Sequence, residues 1–370
     1  MGYQVIEADG GNLKRAFLNL SGRIYAGDPY YIPPIGSYVK DTLDADKNPY
    51  FRNSSLRLFL CLRNGIAVAR TAIVINCLYL QSAGEKIAFF GFFEAENDPQ
   101  AVSALFRHAG QYCKVMGATV LEGPYNPNHY SDLGLQTEAF DKPPAFFQTH
   151  NPPYYESLLA SAGFTRSFEI HTRKNTGIKQ FVERNFGGTF SSASESGFRA
   201  RQLNLNNLGE ELERVRDVYN DAFASNWRFL PVSAEEYAFS AKYIKYVTSP
   251  ELNIIVEKDG IPHGVLQCVY DINPLMMSLR GVPMPLFYLN FMRKRKKSRN
   301  LIIYAGGVRK SARHSEVTRL LFDALCRISL GFDSLETTWM YDDNSPAVRI
   351  AETLGLIRDR TFWILSKRLE

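Results

Sequence analysis

The apolar positions of the chain fall into short runs typical of buried strands and longer segments with a helical period. Near the C-terminus, residues 301–305 form an apolar run that predicts a strand, and the apolar positions of 316–328 predict a helix. Residues 335–341 and 361–367 predict two more strands, with a helix over 344–355 between them. The order is therefore strand, turn, helix, strand, helix, strand.

The first half of the chain repeats this order. Its pattern predicts strands over 3–8, 56–63, 66–76, 86–94, 119–122 and 164–173, and helices over 12–25, 98–116 and 153–162. Asn64-Gly65 in this half and Asp259-Gly260 in the other favour tight hairpins. We therefore predict an α/β protein of two tandem domains, each a twisted mixed sheet flanked by helices. The predicted ranges are 1–180, a linker over 181–196, and 197–370.

The composition agrees with a globular protein of two domains. The chain has 370 residues, 45% hydrophobic and 22% charged, with a net charge of +5. This mild positive charge suits an anionic ligand or membrane surface and falls short of a nucleic-acid-binding protein. Five scattered cysteines, without a Cys-x-x-Cys pair, predict reduced thiols. No signal sequence is recognised, so we expect a cytoplasmic protein.

The turn that follows the strand at 301–305 has the chemistry of an anion site. It is cationic and polar, and it leads into a helix whose N-terminal amides and dipole favour negative charge. Asn344 marks the start of the next helix, where asparagine is a favoured N-cap. The candidate cofactor-binding residues are Val308, Arg309, Ser311, Arg313, His314, Ser315 and Asn344.

This stretch resembles the acetyltransferase superfamily known as GNAT. The matching residues are Gly307 and Val308, Arg313 in the turn, and Asn344 followed by Gly355. The resemblance implies that an acyl-CoA or acetyl-CoA co-substrate binds with its diphosphate at the turn. The chain departs from the superfamily where the turn usually has two small residues, because Glu316 and Thr318 stand there. It also has Ala351 in place of the tyrosine that often acts as general acid.

A long connection over 123–155 is the second candidate region. It mixes amides, tyrosines and prolines, which suits a polar head group inside an apolar wall, and long irregular connections in compact domains often carry function. The candidate substrate-binding residues are Tyr125, Asn126, Asn128, Tyr154 and Tyr155. The alternative is a packed loop stabilised by its own tyrosines.

This region carries a second, narrower resemblance. Gly91-Phe92-Phe93-Glu94, Asn151-Pro152-Pro153 and Trp339-x-x-Asp342-Asp343-Asn344 are similar to motifs of a bacterial family of tandem GNAT proteins. That family includes bacterial ceramide synthases, which are thought to acylate a sphingoid amine. The resemblance covers nearly the whole chain. It implies an acyl transfer to an amine without fixing the substrate.

Glu94 is the candidate general base. GNAT enzymes often use a carboxylate at this strand end to take the proton of the attacking amine. The flanking phenylalanines would raise its pKa. The alternative is a surface glutamate near a helix start, where acids are favoured. His150 and His129 are alternative bases.

Residues 275–299 form an apolar segment followed by a dense basic run. This combination predicts a peripheral contact with the inner face of a membrane. The alternative is an insertion that covers a cleft, followed by a solvated loop.

Two hypotheses follow from the sequence. The first is an N-acyltransferase that moves an acyl group from a CoA or carrier-protein thioester to an amine, with a lipid amine as the sharper version. An acyl carrier protein is then a candidate partner. The second is a degenerate GNAT-fold protein that binds a lipid or a protein partner. The histidines lack metal-ligand spacing, so no metal is expected.

Overall fold

The chain divides into two units in a computed structural model that describes residues 2–81, 84–128, 130–313 and 315–370. The first unit runs up to Ile170 and also contains Arg360–Glu370. The second unit is His171–Asp359. These ranges differ from the predicted ones because the last residues of the chain belong with the first unit. Helix α6 (Ile178–Phe186) also extends into the predicted linker, and the linker itself remains a prediction.

The first unit is built on a mixed sheet. Its strand order is β1-β2-β3-β4-β5-β15-β9, and β8 pairs with β15. The strands that begin in this unit are β1 (Tyr3–Glu7), β2 (Ser54–Arg63), β3 (Ile66–Asn76), β4 (Ile87–Ala95), β5 (Val120–Gly123), β6 (Tyr125–Asn126), β7 (Asp132–Leu133), β8 (Leu135–Gln136) and β9 (Thr165–Asn175). The last strand of the chain, β15 (Ile357–Arg368), pairs antiparallel with β5. The pair β6 and β7 forms a small separate sheet.

Helices cover the sheet of the first unit. They are α1 (Gly11–Ile24), α2 (Gly36–Thr42), α3 (Cys77–Leu80), α4 (Pro99–Val115) and α5 (Tyr155–Ser161). Helix α4 starts as predicted, because the Asp98 side chain accepts a hydrogen bond from the Ala101 N–H at 3.0 Å and Pro99 occupies the first turn. A core of buried residues joins α4 and α5 to the strands. A smaller cluster around Phe17 lies under α1.

The second unit has its own sheet, in the order β14-β13-β12-β11-β10, with the last residues of β9 pairing with β14. Its strands are β10 (Arg199–Gln202), β11 (Asn253–Lys258), β12 (Ile261–Tyr270), β13 (Asn300–Val308) and β14 (Ser334–Thr337). Its helices are α6, α7 (Leu208–Phe223), α8 (Ala234–Ile244), α9 (Asn273–Ser278), α10 (Met284–Lys294), α11 (Val317–Ser329) and α12 (Ser345–Thr353).

Both predicted hairpins are confirmed. Asn64-Gly65 joins β2 to β3, and Asp259-Gly260 joins β11 to β12, with positive φ at all four residues. Two expectations were wrong in detail. The connection over 123–155 contains three short strands, and β14 ends at Thr337 rather than at 341. Among the described residues, no helix is both long and apolar enough to cross a membrane.

Candidate active site

The end of β4 carries a β-bulge. Gly91 pairs with Ala72 and Glu94 pairs with Arg70, so β4 has one residue more than β3 in this interval. Phe92 in the bulge has a φ of 47°, which is rare for a bulky side chain, and its N–H donates to the Asn126 side-chain oxygen at 2.6 Å. Bulges of this kind re-aim side chains at strand ends.

Parallel pairing between β4 and β5 stops before β4 ends. The last paired residues are Phe89 and Glu122, whereas β4 continues to Ala95. The backbone after β5 nevertheless passes close to β4, since a Cβ at Gly91 would lie 1.6 Å from the Tyr125 carbonyl oxygen. Only glycine fits this position, and the close approach holds the 123–126 segment against the bulge.

Glu94 lies in a polar cluster behind the bulge. Its side chain is 13% exposed, and one carboxylate oxygen lies 3.5 Å from an Arg70 guanidinium nitrogen. The Tyr155 hydroxyl donates to the other oxygen at 2.7 Å. Arg70 itself is 7% exposed and also donates to the carbonyls of Phe17 and Phe92. Arg70 and Tyr155 therefore contact the two different oxygens of the Glu94 carboxylate.

Burial is the largest influence on the Glu94 carboxyl and raises its pKa. The charge of Arg70, the hydrogen bond of Tyr155 and the nearby Tyr25 hydroxyl act in the opposite direction but do not cancel the effect of burial. Burial also holds the pKa of Tyr25 and Tyr155 well above its ordinary value, so both phenols stay protonated donors. A carboxylate with a raised pKa is the kind of group that accepts a proton near neutral pH.

His150 forms a second pair, which is partly buried. Its Nε2 lies 2.7 Å from an Asp28 carboxylate oxygen, and its side chain is 7% exposed. Its Nδ1 is buried and has no hydrogen-bond partner among the described residues. Burial raises the pKa of Asp28, but the bonds from His150 and from the amides of Tyr30 and Tyr31 outweigh burial and lower it. A carboxylate that orients an imidazole is a common base arrangement.

Tyr25 connects the two pairs. Its hydroxyl donates to the His150 carbonyl oxygen at 3.0 Å and also lowers the pKa of Glu94. Its ring stacks on Tyr31 with centroids 3.9 Å apart. The two candidate bases, Glu94 and His150, therefore belong to one cluster in the first unit. Their catalytic roles remain predictions.

The five candidate substrate-binding residues fall into two groups. Tyr155 binds Glu94, Tyr154 donates to the Ala95 carbonyl at 3.0 Å, and Asn126 binds the bulge. Tyr125 is instead buried and donates to Glu122 at 2.7 Å, and buried Asn128 accepts from Ser131. The contacts of these last two fit the packed-loop alternative.

The cationic turn lies between β13 and α11 in the second unit. Its Arg309 side chain donates to the Pro262 carbonyl, and Arg313 is exposed and donates to the Ala222 carbonyl at 3.1 Å. Ser311 is exposed, Ser315 donates to the Ala312 carbonyl, and Val308 is the last residue of β13. Asn344 precedes α12 but makes no side-chain cap bond. His314 and His129 lie outside the described residues.

Two carboxylates lie at this turn, one from α7 and one at the start of α11. Asp221 accepts from the Lys310 N–H at 2.6 Å. Hydrogen bonds from Ser196 and Ser194 lower the pKa of Glu316, which also lies 3.3 Å from Arg319. A diphosphate would have to displace Asp221 from the Lys310 amide. The other hydrogen-bond donors of the turn suit an anion, because they are exposed cations and hydroxyls at the start of a helix.

Three site residues were missed by the sequence analysis. Arg70 was detectable, because a charged residue inside the apolar strand β3 predicts a buried partner. Asp28 and Tyr25 come from the α1 end, and nothing in their local sequence marks them.

Asp132, opposite Asn126 in the small sheet, is a further acidic group whose pKa burial raises to about 6.

Known proteins match the chain at the level of the fold. No family model matches it. A tandem GNAT protein from the clavulanic acid biosynthesis pathway aligns with all of this chain and 99% of its own, with a TM-score of 0.54 and 12% identity. The chain has the tandem GNAT fold. A GCN5-related N-acetyltransferase from Sphaerobacter thermophilus has the same fold, with a TM-score of 0.53 and 11% identity over 99% of this chain and 96% of that one.

Two proteins are similar to this chain in sequence. One is named bacterial ceramide synthase, from Caulobacter vibrioides, and is 29% identical over 369 residues, which cover 96% of this chain and 95% of that protein. The other is protein YghO of Escherichia coli, 25% identical over 372 residues, which cover 96% and 93%.

Proposed function

We propose that the protein is an N-acyltransferase that moves an acyl group from a thioester to an amine, with Glu94 as the general base. The observation that carries the proposal is the buried Glu94 carboxylate, kept beside Arg70 and Tyr155 with a raised pKa. Burying a carboxylate is costly, and buried carboxylates with raised pKa values cluster at functional sites. Acyl-CoA or acetyl-CoA, or a carrier-protein thioester, is the proposed donor.

The proposed step is a direct transfer. The amine nitrogen attacks the thioester carbon, the new C–N bond forms, and the C–S bond breaks. The amine proton goes to Glu94, and the thiolate leaves and takes a proton from solvent. Tyr155 and Arg70 hold the carboxylate in place, and Tyr25 links it to His150, whose pairing with Asp28 makes it the alternative base.

The acceptor is proposed from the relatives. The Caulobacter relative carries the name bacterial ceramide synthase, which supports a long-chain lipid amine as the acceptor. Diphosphate binding at the Arg309–Ser315 turn is proposed on its exposed cations and its position at the start of α11.

The test is an acyl-transfer assay that follows the N-acylated product by mass spectrometry. Acyl-CoAs of increasing chain length are offered with a sphingoid amine, and a carrier-protein thioester serves as a second donor. We expect Glu94→Gln to lower the rate at least ~100-fold. The matched control is Glu96→Gln, two residues away on the surface and paired with Arg23 and Arg63. Full activity of Glu94→Gln would remove this residue as the base and leave the His150–Asp28 pair as the remaining candidate.

One observation favours the alternative of a degenerate GNAT fold that binds a lipid or a protein. Asp221 and Glu316 place negative charge at the turn where a diphosphate would bind. If neither donor is used and no acyl-CoA binds, while the protein still binds a lipid amine, this alternative replaces the enzyme.

A further inference from the structure

Helix α10 exposes an unusual amount of apolar surface. Met284, Leu286, Tyr288 and Leu289 are 73%, 54%, 58% and 52% exposed, and all belong to one helix of 11 residues. Phe287 and Phe291 pack against each other with ring centroids 6.1 Å apart, and Phe291 is buried. We call the four exposed residues the α10 ridge. Exposed apolar clusters of this kind usually mark contact sites.

The same segment is cationic and contains no acid. Residues 273–299 include seven Lys and Arg and no Asp or Glu. Arg293, Lys294, Lys296 and Lys297 are exposed, and they directly follow the ridge. Apolar side chains next to several cations are the pattern of helices that lie in the interface of an anionic bilayer.

A second helix end adds to this surface. The Arg295 guanidinium donates to the Tyr246 carbonyl oxygen at 2.7 Å, which ties the basic run to the C-terminal end of α8. Exposed Tyr246 lies there, with Lys245 over its ring at 5.2 Å. Tyrosine and lysine together suit the depth of lipid head groups, because each has an apolar body and a polar end.

An open cavity of about 690 Å³ adjoins the basic run in the second unit. Lys296 and Lys297 contribute to its lining, as do apolar Ile254 and Phe332 and the carboxylate of Glu251. A recess with cationic and apolar sides suits an amphiphile with an anionic head group. The lysines that would attract a bilayer therefore also line a recess that a lipid head group can enter.

We propose that the α10 ridge and the basic run of 293–299 form a docking surface for an anionic membrane. The ridge inserts among the acyl chains, and the cations bind the lipid phosphates. We choose a bilayer over an acidic protein because exposed apolar side chains beside several cations on one short helix are the pattern of interfacial membrane helices. This inference goes beyond acyl transfer, and vesicle binding needs no catalysis, so the two proposals fail separately.

The test is co-sedimentation of the full chain with vesicles of phosphatidylglycerol and phosphatidylcholine, compared with pure phosphatidylcholine. We expect binding to the anionic vesicles only. Lys296→Glu with Lys297→Glu should weaken binding at least about twenty-fold, since each cation near the surface contributes about fivefold. Lys14→Glu with Arg15→Glu is the matched control, because it makes the same charge change on exposed positions of α1.

The ridge is tested separately. Leu286→Gln with Leu289→Gln should weaken vesicle binding about tenfold or more without changing the charge. Ile261→Gln is its control, an exposed isoleucine (56%) at the hairpin of the same unit. Equal binding by the ridge variant would overturn insertion. Absence of vesicle binding by the wild type, with binding of an acidic acyl carrier protein through the same lysines, would overturn the membrane proposal in favour of a protein partner.

Discussion

The two units share one local architecture and differ in the chemistry placed on it. In each, a bulged strand runs parallel to a short one and leads through a turn into a long helix. In the first unit the bulge lies in β4 between Arg70 and Ala72 of the facing strand. In the second unit it lies in β13, where Tyr304 is the extra residue opposite Gln267 and Cys268. We call the bulged strand end, the turn and the start of the helix a corner, and the corners of the two units can be compared.

The turn of the first unit is acidic and internally paired. Asp98 accepts from the Ala101 amide and from Tyr3, and Arg63 binds both Asp98 and Glu96 at 2.7 Å. The carboxylates therefore already occupy the helix start. The turn of the second unit is cationic and bears exposed side chains. The two turns therefore differ in charge although they follow strands of similar arrangement.

The ends of β4 and β13 also differ in their titratable side chains. Glu94 lies at the end of β4, whereas β13 ends in Gly306, Gly307 and Val308, which carry no titratable side chain. The first corner thus has a carboxylate at its strand end, and the second has exposed cations in its turn. The two corners therefore carry different side chains on a similar backbone arrangement, and variants in the two should have unequal effects.

The largest expected difference in stability is between alanine substitutions at Gly91 of β4 and at Gly306 of β13. Gly91→Ala places a Cβ 1.6 Å from the Tyr125 carbonyl oxygen, a contact with backbone that cannot relax cheaply. We expect it to lower the free energy of unfolding by at least about 3 kcal/mol. Gly306→Ala meets only the Leu266 side chain at 3.9 Å and should change stability by less than about 1 kcal/mol. Thermal and urea unfolding measure both. Similar melting temperatures for the two variants would show that the close approach at Gly91 is not required.

The second largest expected effect on stability concerns the charge of the buried Glu94 carboxylate. Arg70→Met leaves Glu94 without its cation and should cost about 3 kcal/mol at neutral pH. The pKa of Glu94 is already raised by burial, and this change raises it further. Folding then favours the protonated carboxyl, so the lost stability should return as the pH falls through the pKa of the folded state. Urea unfolding from pH 8 down to pH 4 follows this.

Two variants control the Arg70 experiment. Arg23→Met removes an exposed partner of Glu96 and should cost less than about 1 kcal/mol with little pH dependence. Adding Glu94→Gln to Arg70→Met should restore part of the stability, because no buried charge remains. A double variant less stable than Arg70→Met would contradict this account.

The sequence predicts the fold of both corners better than their chemistry. Strand, turn and helix follow from periodicity, from Asn64-Gly65 and from the Asp98 cap, which are local signals. The partners of Glu94 are not local. Tyr155 lies 61 residues away along the chain, and Tyr25 comes from the end of α1. Contacts at such separation depend on how the helices pack on the sheet, which one sequence does not record.

The cationic turn shows the same limit. Its lysine and arginines were visible in the sequence, as was Glu316. The bond between Asp221 and the Lys310 amide was not, because Asp221 belongs to α7, 89 residues earlier. The short strands within 123–155 were also missed, since two-residue strands carry no periodicity.

A smaller effect should appear in the pH dependence of acyl transfer. The Tyr155 hydrogen bond lowers the pKa of Glu94. Tyr155→Phe therefore raises this pKa, and the acidic limb of the rate profile should move to higher pH, because the base must be ionised. Tyr237→Phe is the matched control, since it removes a hydroxyl bound to Gln267 at the other corner. Its acidic limb should stay in place. A shift to lower pH in Tyr155→Phe would mean that another group sets the limb.

The smallest effect tests which corner binds the thioester. Asp221→Asn removes a negative charge from the Lys310 amide and should tighten acyl-CoA binding, whereas Arg313→Ala should weaken it by about tenfold. Arg63→Ala, at the acidic turn, should leave affinity unchanged. Calorimetry with acyl-CoAs of increasing chain length measures all three. Opposite signs at Asp221 and Arg313 would locate the diphosphate near the second corner, because an anion there gains when the Asp221 charge is lost and loses when the Arg313 cation is removed. Weakening by Arg63→Ala alone would place the thioester at the first corner, beside Glu94.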